Sequence, residues 1–288
     1  MDYRPRRDGG YAATRRNAGQ SVAAEPLAVL ARDRGLTILE DACHALGSEQ
    51  VVGEDEWRSV GACARSAMTA FSFHPVKTIA AGEGGAVTTN DPALAARLVR
   101  LRNHGLVREP VAFTEPGPAF AEDGGINPWY YELAEPGFNY RLTDLQSALA
   151  LSQLGRLELF AARRRRLAEL YDRLLEPLAP VVLPPGRVGW CRPVWHLYCA
   201  RVDFARLGRE RSWLMAELKR SGIGTQVHYI PLHCQPYYRR RYGELSLPGA
   251  EVHYARALSL PLFPAMDDQD VVRVVGALTA AVSDFRHK

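Results

Sequence analysis

The hydrophobic pattern near the start of the chain predicts a helix followed by a buried strand. Apolar residues recur at helical spacing over residues 24–34, and Gly35 follows where a left-handed C-terminal residue belongs. Residues 36–39 then form a short apolar run that closes on Glu40 and Asp41. Such a run is typical of a parallel strand buried on both faces. The pattern therefore indicates an α/β fold.

The next segments continue the alternation of strand and helix. Strands are predicted at residues 67–73 and 85–89. The sequence Asn-Asp-Pro at 90–92 supplies an N-cap and a first-turn proline for a helix that runs through residue 103. The stretch 107–137 is rich in proline, glycine and aromatic residues without a clear period, which predicts a long functional loop.

A second, smaller α/β lobe is predicted in the C-terminal half. Residues 143–175 contain one glycine, Gly155, and no proline, and their apolar spacing predicts a single long helix that bridges two domains. The elements predicted beyond it are a strand at 196–202, a helix at 208–221, a strand at 224–229, and helices at 250–258 and 267–285.

Composition narrows the class of protein. Of the 288 residues, 47% are hydrophobic and 24% charged, which is ordinary for a globular protein. The five cysteines are an odd number without a C-x-x-C pair, so neither a disulfide framework nor a zinc ribbon is predicted, and a reducing cytoplasm is expected. No apolar run approaches the roughly 18 residues of a membrane span, and no export signal is recognisable, so no membrane association is expected.

Charge gives little reason to expect a nucleic-acid partner. The net charge is only +4, and the arginines are interleaved with acidic residues along the chain. Two basic runs remain, at residues 163–166 and 239–241. A solvated or subunit-facing role is favoured over a nucleic-acid patch for both. The first run lies in a helical pattern, where four consecutive residues point in different directions around the axis.

The most informative segment for chemistry is Phe-Ser-Phe-His-Pro-Val-Lys at residues 71–77, which leads into the glycine-rich residues 82–85. Strand ends are where α/β folds place ligands. The amine of Lys77 can form an imine with an aldehyde cofactor, provided that burial and positive neighbours keep it partly neutral. Ser72 can donate to a phosphate that the glycines let backbone N–H groups approach. Taken alone, a lysine before such a turn is more often a solvated surface charge.

The position of Asp41 favours a cofactor-binding role for Lys77 over a solvated surface charge. It ends the predicted buried strand, where an unpaired acid is costly. The pyridine nitrogen of pyridoxal phosphate (PLP) must stay protonated for the ring to act as an electron sink, and an adjacent carboxylate favours that form. The alternatives are a helix N-cap for Asp41, a packing histidine for His44 and a small buried hydrophobe for Cys43.

Five blocks of the sequence resemble the DegT/DnrJ/EryC1/StrS aminotransferase family in order and spacing. They are EDACHALGSE, FSFHPVKTIAAGEGGAVTTND, GFNYRLTDLQSALALSQL, GTQVHYIPLH and SLPLFP. The resemblance implies a PLP-dependent transferase of fold type I, similar to aspartate aminotransferase, that works as a homodimer with active sites at the subunit interface. It implies transfer of an amino group from glutamate to a nucleotide-linked 4-keto-6-deoxy sugar. The blocks DACHALGSE, FSFHPVK and QVHYIP are similar to the branch that aminates a UDP-linked sugar on the way to pseudaminic acid.

The resemblance also implies a role for each matching residue around the cofactor. Lys77 matches the Schiff-base lysine and proton shuttle, Asp41 the partner of the pyridine nitrogen, and Ser72 a phosphate ligand. His44 matches a contact of the cofactor ring hydroxyl. Asn139 matches a residue that reaches the phosphate of the neighbouring subunit's cofactor. A lysine at position 77 implies a transaminase, because the dehydrating members of the family carry histidine there.

Two more positions are implied to face the substrate. Arg141 is a candidate for binding the diphosphate of the sugar nucleotide. Tyr229 lies where the family's small domain faces the substrate, although it and His228 are equally compatible with strand residues that pack their own lobe. His228 and His233 are poorly spaced for metal ligation, so no metal is expected.

The resemblance begins at residue 18 and leaves out the family's long N-terminal portion. It implies an unmatched segment at residues 1–17, the remainder of the large PLP-binding domain at 18–165 and a small C-terminal domain at 166–288. An incomplete large domain would expose apolar surface and a sheet edge. Three hypotheses for the chain follow: it is an inactive truncated fragment, a half-enzyme completed by a separate N-terminal piece, or a scaffold that retains only partner binding.

Overall fold

The structure is a computed structural model of the 288-residue chain, and it describes residues 11–15, 18–20, 22–53, 55–115 and 117–283. In these residues the strands are β1 (Tyr11–Arg15), β2 (Thr37–Asp41), β3 (Glu49–Val52), β4 (Glu56–Ser59), β5 (Met68–Ser72), β6 (Gly85–Thr88), β7 (Leu106–Val107), β8 (Glu132–Leu133), β9 (Val182–Leu183), β10 (Cys191–Arg192), β11 (Tyr198–Val202) and β12 (Ala257–Leu260). The helices are α1 (Ala24–Asp33), α2 (Pro92–Arg102), α3 (Asp144–Leu154), α4 (Leu157–Leu175), α5 (Phe204–Leu207), α6 (Arg211–Arg220), α7 (Pro236–Tyr242), α8 (Pro248–Arg256) and α9 (Asp268–Ser283).

A four-stranded sheet, which we call the large sheet, carries the predicted site. Its order is β1-β2-β5-β6. Strands β1, β2 and β5 run parallel, and β6 runs antiparallel to β5. The predicted buried parallel strand is therefore confirmed, with Ile38 and Glu40 buried in β2. Gly35 has φ +61°, the left-handed value predicted for the residue after α1.

Strand β1 lies within the predicted unmatched segment 1–17. Residues Tyr11–Arg15 pair with β2 over their whole length, so that part of the segment belongs to the large sheet. The other residues of that segment lie outside the described ranges. The division at residues 165 and 166 stays a prediction.

Most of the buried apolar core lies in the C-terminal half, which we call the small lobe. It is built from α4, α6, α9 and the antiparallel sheet β12-β11-β9, and its largest buried side chains include Leu167, Tyr171, Trp195, Tyr198, Leu214 and Leu278. Helix α4 buries one stripe at helical spacing and packs it against α9. A smaller core beneath the site contains Ala42, Ala45, Val60 and Phe71.

Three predicted elements are wrong in their extent or type. The single helix over 143–175 is two helices, because the chain leaves the helical conformation at Arg156, directly after the weak helix former Gly155. The predicted strand 224–229 makes only one isolated bridge, between Gln226 and Ser259. The predicted helix 250–258 ends at Arg256, because the next four residues are buried in pairing with β11.

The hairpin of β3 and β4 was not predicted from the sequence. Strands β3 and β4 pair with each other, and β10 adds a third strand from far along the chain. By contrast, α2 begins as predicted, with the Asp91 carboxylate accepting the N–H groups of Ala93 and Leu94 at 2.8 and 3.2 Å.

Candidate active site

Asp41 and Ser72 lie at the carboxyl ends of neighbouring parallel strands. Asp41 ends β2 and is paired in register with Ala70 of β5, and Ser72 ends β5 two residues later. The N–H of Ala42 donates to the carbonyl of Ala70 at 2.8 Å, which continues the pairing past the strand end. Parallel strands bring their carboxyl ends to one edge of a sheet, which is where α/β folds bind ligands.

The turn after β2 fixes the Asp41 carboxylate. Its Oδ1 accepts the N–H of Cys43 at 3.1 Å, and the carboxylate is half-buried. Residues 42–48 form turns, so no helix begins at Asp41, and the alternative of a helix N-cap does not apply. A half-buried carboxylate at a sheet edge suits the role of an acceptor toward a protonated ring nitrogen.

Lys77 lies in a tightly closed turn that follows β5. Its N–H donates to the carbonyl of His74 at 2.9 Å. The N–H of Phe73 donates to Gly84, and the N–H of Ala81 donates to Phe73, each at 2.8 Å. The side chain of Lys77 is half-buried. Backbone hydrogen bonds therefore fix the base of the turn that carries the predicted Schiff-base lysine.

Close packing explains the glycines of this turn, residues 82–85, which we call the glycine turn. A Cβ at Gly85 would lie 2.4 Å from the carbonyl oxygen of Phe71, and a Cβ at Gly84 would lie 2.5 Å from Leu142. The backbone of β6 can approach β5 here only without side chains. Gly85 pairs with Ser72 in register, so the glycine turn lies beside the Ser72 hydroxyl, and a phosphate site needs both a hydroxyl and nearby backbone N–H groups.

His44 is buried and lies between two aromatic side chains of the C-terminal half. Its ring centroid is 4.3 Å from that of His196, with 46° between the ring planes. Its Nε2 is 3.3 Å from the hydroxyl of Tyr229. The structure thus brings the predicted residues His44 and Tyr229 into direct contact.

Asn139 and Arg141 are exposed and lie on the segment between β8 and α3. Asn139 bridges to Asn103, and the Arg141 guanidinium donates to the side-chain oxygen of Asn103 at 2.6 Å. The segment reaches the glycine turn at two points: Leu142 packs on Gly84, and the Gln146 amide donates to the carbonyl of Glu83 at 3.1 Å. Both residues are therefore near the turn but directed to the surface.

Sequence reasoning missed Arg164, one of the basic run predicted to be solvated or subunit-facing. It is buried, and its Nη1 donates to the carbonyl oxygens of Trp195, His196 and Leu262 at 3.3, 3.1 and 3.0 Å. Burial lowers the pKa of its guanidinium to about 10, which leaves it charged at neutral pH. The signal was available, since position 164 continues the helical stripe of Ala161, Leu167 and Ala168.

Of two further histidines at the site, His196 and His228, the sequence pointed only to His228, beside Tyr229. Burial, followed by the nearby positive charges of His44, Arg164 and Lys77, lowers the pKa of His196 to about 2. Burial and the charge of Lys77 also lower the pKa of His228, whose Nδ1 is 2.8 Å from the hydroxyl of Ser259. The charge of Lys77 thus contributes to the lowered pKa of both imidazoles.

Within the described ranges, no three His, Cys, Asp or Glu side chains come together as a metal site. Among the helices of the described residues, none has both the length and the apolar character needed to cross a membrane.

Comparison with known proteins decides the family. The model of the DegT/DnrJ/EryC1/StrS aminotransferase family matches residues 16–279. This chain belongs to that family. The DegT/DnrJ/EryC1/StrS aminotransferases depend on PLP, and their fold is that of the fold-type-I PLP-dependent transferases, as the sequence predicted.

Three relatives indicate how far the similarity extends. An uncharacterized protein of Methanocaldococcus jannaschii is 36% identical over 271 residues, which cover 93% of this chain and 66% of that protein. Helicobacter pylori PseC, an aminotransferase involved in the biosynthesis of pseudoaminic acid, matches with a TM-score of 0.81 at 27% identity, over 95% of this chain and 67% of PseC. S. venezuelae DesV matches with a TM-score of 0.77 at 32% identity, over 94% of this chain and 64% of DesV. This DegT/DnrJ/EryC1/StrS family chain spans about two thirds of the length of these relatives.

The residues present fit the cofactor of the family. The half-buried Asp41 carboxylate, the half-buried Lys77 and the backbone opened by the glycine turn lie along one sheet edge. The described residues supply no hydrogen-bond partner for the buried Nδ1 of His196. Acid, amine and phosphate-binding elements are the donor set that PLP requires.

Proposed function

We propose that this chain provides the PLP site of an aminotransferase. The observation that carries the proposal is the sheet edge at which Asp41 and Ser72 end adjacent parallel strands, with Lys77 in the turn that follows. PLP would supply the electron sink for amino-group transfer. The Nζ of Lys77 would hold the cofactor and afterwards carry a proton to and from the substrate carbon.

The other site residues would bind and orient. Asp41 would keep the ring nitrogen protonated, and His44 would contact the ring hydroxyl. Ser72 and the backbone of the glycine turn would bind the phosphate. Asn139 would reach the phosphate of a neighbouring subunit's cofactor.

The lysine content of the chain makes a sharp test possible. The sequence has only three lysines, Lys77, Lys219 and Lys288. The purified chain is mixed with PLP, its visible spectrum is recorded, and borohydride reduction followed by peptide mass spectrometry locates the attached cofactor. We expect a visible band and modification of Lys77.

Two variants complete this experiment. Lys77→Arg keeps the positive charge but cannot form the imine, so the band is expected to disappear, whereas Lys219→Arg on α6 is expected to keep it. A folded wild-type chain without a band, or modification spread evenly over the three lysines, would reject cofactor binding through Lys77.

For the substrates we propose glutamate as amino donor and a nucleotide-linked 4-keto-6-deoxy sugar as acceptor, in the biosynthesis of pseudaminic acid or a related surface sugar. Arg141 would bind the diphosphate, and Tyr229 would face the sugar. The similarity to PseC supports this substrate class. Amination of a UDP-linked keto sugar with glutamate, followed by mass spectrometry, tests it, and a preference for a TDP-linked sugar would contradict the pseudaminic acid assignment.

We propose that the partner is a second copy of this chain, and that α3 lies in the contact. Every residue of α3 is at least partly exposed, and Leu145 and Leu151 expose 86% and 71% of their surfaces. Exposed apolar surface of this kind marks interaction sites. The alternative is a separate N-terminal piece that covers the same helix, with an inactive fragment or a scaffold as the remaining possibilities.

Sedimentation of the wild type and of the Leu145→Lys, Leu151→Lys double variant distinguishes these partners. We expect a wild-type dimer and a monomeric variant. Val111 lies in a short 3-10 helix and is 97% exposed, and the Val111→Lys variant is expected to remain dimeric. A wild-type monomer would contradict the homodimer and favour the separate piece. We further propose that the large domain includes β1 and extends through residue 165, that the small domain spans residues 166–288, and that the protein is cytoplasmic.

A further inference from the structure

Two buried histidines from distant parts of the chain lie against each other at the candidate site. His44 follows β2, and His196 lies two residues before the start of β11; they expose 2% and 5% of their surfaces. Their ring centroids are 4.3 Å apart. This contact joins the turn that follows β2 of the large sheet to the small lobe.

The backbone of His196 is held from two sides. Arg164 donates to its carbonyl oxygen at 3.1 Å and to the carbonyls of Trp195 and Leu262. The N–H of His196 donates to the carbonyl of Ala18 at 3.2 Å. A buried guanidinium with three acceptors has few other positions available. The hydrogen bonds of Arg164 therefore hold in place the backbone that carries the His196 imidazole.

The His196 ring can pack against His44 without electrostatic repulsion. Burial and the surrounding positive charges keep its imidazole neutral. Its Nδ1 is buried without a hydrogen-bond partner in the described part of the chain, so hydrogen bonding of that nitrogen is not what fixes the ring. Packing against His44 is the ring contact that the structure shows.

His44 is thus constrained by two neighbours in different ways. The ring of His196 limits the plane of the His44 imidazole. The hydroxyl of Tyr229 determines where Nε2 points. A side chain that must meet a cofactor in one orientation benefits from both constraints.

We propose that His196 is a positioning residue, which fixes the ring plane of His44 so that His44 presents one edge to the cofactor. The inference rests on the proposed function, in which His44 contacts PLP. His196 itself takes no part in proton transfer. Replacing it is expected to act on cofactor binding only through His44.

The first test uses the full chain with PLP as the titrant. His196→Ala is expected to raise the PLP dissociation constant about 2- to 10-fold, the range for loss of one aromatic ring contact. His196→Phe keeps a planar ring and is expected to recover most of that loss. In a His44→Ala background, His196→Ala is expected to add less than about 2-fold, because coupled residues are not additive.

His233→Gln is the matched control. His233 is also buried, with its Nε2 3.0 Å from Glu251, and it lies outside the proposed site. The His233→Gln substitution is expected to change the PLP dissociation constant by less than about 2-fold relative to wild type. Its effect is expected to be additive with that of His44→Ala. Full additivity of His196→Ala with His44→Ala, or an unchanged dissociation constant in His196→Ala, would overturn the inference.

The second test needs no cofactor and therefore separates this inference from the proposed function. Deuterium exchange at the imidazole C2 position, followed by mass spectrometry, reports the environment of each histidine in the free chain. We expect severalfold faster exchange at His44 in His196→Ala and wild-type exchange at His44 in His196→Phe and His233→Gln. Unchanged exchange at His44 in His196→Ala overturns the inference even if PLP binds, and faster exchange supports it even if PLP binding fails.

Discussion

The hydroxyl of Tyr229 lies 3.3 Å from Nε2 of His44, across 185 residues of sequence. Tyr229 follows the single bridge that attaches residue 226 to β12, and His44 lies in the turn behind β2. The contact links a predicted substrate residue to a predicted cofactor residue. Any movement of the small lobe is therefore expected to reach the cofactor site through this pair.

Tyr229→Phe removes this hydrogen bond but keeps the ring. We expect PLP affinity to fall about 2- to 10-fold, which corresponds to the roughly 0.5–1.5 kcal/mol of a neutral hydrogen bond. Titration of the visible band measures it. Tyr237→Phe removes an exposed hydroxyl of α7 and is expected to leave the affinity unchanged; an equal effect of both substitutions would argue against the His44 contact.

Arg164→Met tests the buried guanidinium. Methionine keeps the apolar volume but leaves three buried carbonyl oxygens without their donor, so we expect the free energy of unfolding to fall by at least about 2 kcal/mol. Urea unfolding followed by circular dichroism measures it. Arg165→Met, one position along α4, breaks only an exposed pair with Glu158 at 3.5 Å and is expected to cost less than about 1 kcal/mol. Equal losses would contradict the assigned role of Arg164.

The loop that contains Glu132 is expected to lose stability at low pH. Its carboxylate accepts hydrogen bonds from both N and Oγ1 of Thr114 at 2.7 Å, from the N–H of Glu115 at 2.8 Å and from the Tyr130 hydroxyl at 3.0 Å. Partial desolvation raises its pKa, but these donors together lower the pKa from 4.5 to about 2. Because the folded pKa is depressed, the carboxylate contributes stability above pH 4.5 that is lost as the pH falls toward 2.

The measurement is the difference in melting temperature between wild type and Glu132→Gln as a function of pH. We expect a constant difference from pH 7 down to about 4.5 that shrinks at lower pH. Glu122→Gln, on the same loop, serves as the control and is expected to show no such trend. A difference that grows on acidification would refute the assignment of the carboxylate as hydrogen-bond acceptor.

Gly85→Ala tests the close approach of β6 to β5. A Cβ there would lie 2.4 Å from the Phe71 carbonyl oxygen, so the strands must separate, and we expect a loss of about 1–3 kcal/mol in the free energy of unfolding. Weaker PLP binding should accompany it, because Ser72 pairs with Gly85 in register. Gly224→Ala, where no atom lies within 4 Å of the added Cβ, is expected to be close to neutral in the same unfolding assay.

Several local parts of the site follow from the amino-acid sequence alone. A short apolar run predicted β2 and placed Asp41 at its end, a second strand led to Ser72 and Lys77, and Asp91 marked the start of α2. These features depend on contacts within a few residues, such as strand propensity, a side-chain cap or a glycine turn. For that reason they can be read from a single chain.

Long-range packing brings in the distant residues that complete the site, and these contacts could not be predicted. The strand at 224–229 was predicted from its composition, yet the chain pairs once with Ser259 and then carries Tyr229 to His44. Arg164 looked like one member of a solvated basic run, and its burial follows from the packing of α4 against the carbonyls of residues 195, 196 and 262. The free energy that selects these contacts comes from burying surfaces of segments far apart in sequence, and no local pattern encodes which segments will meet.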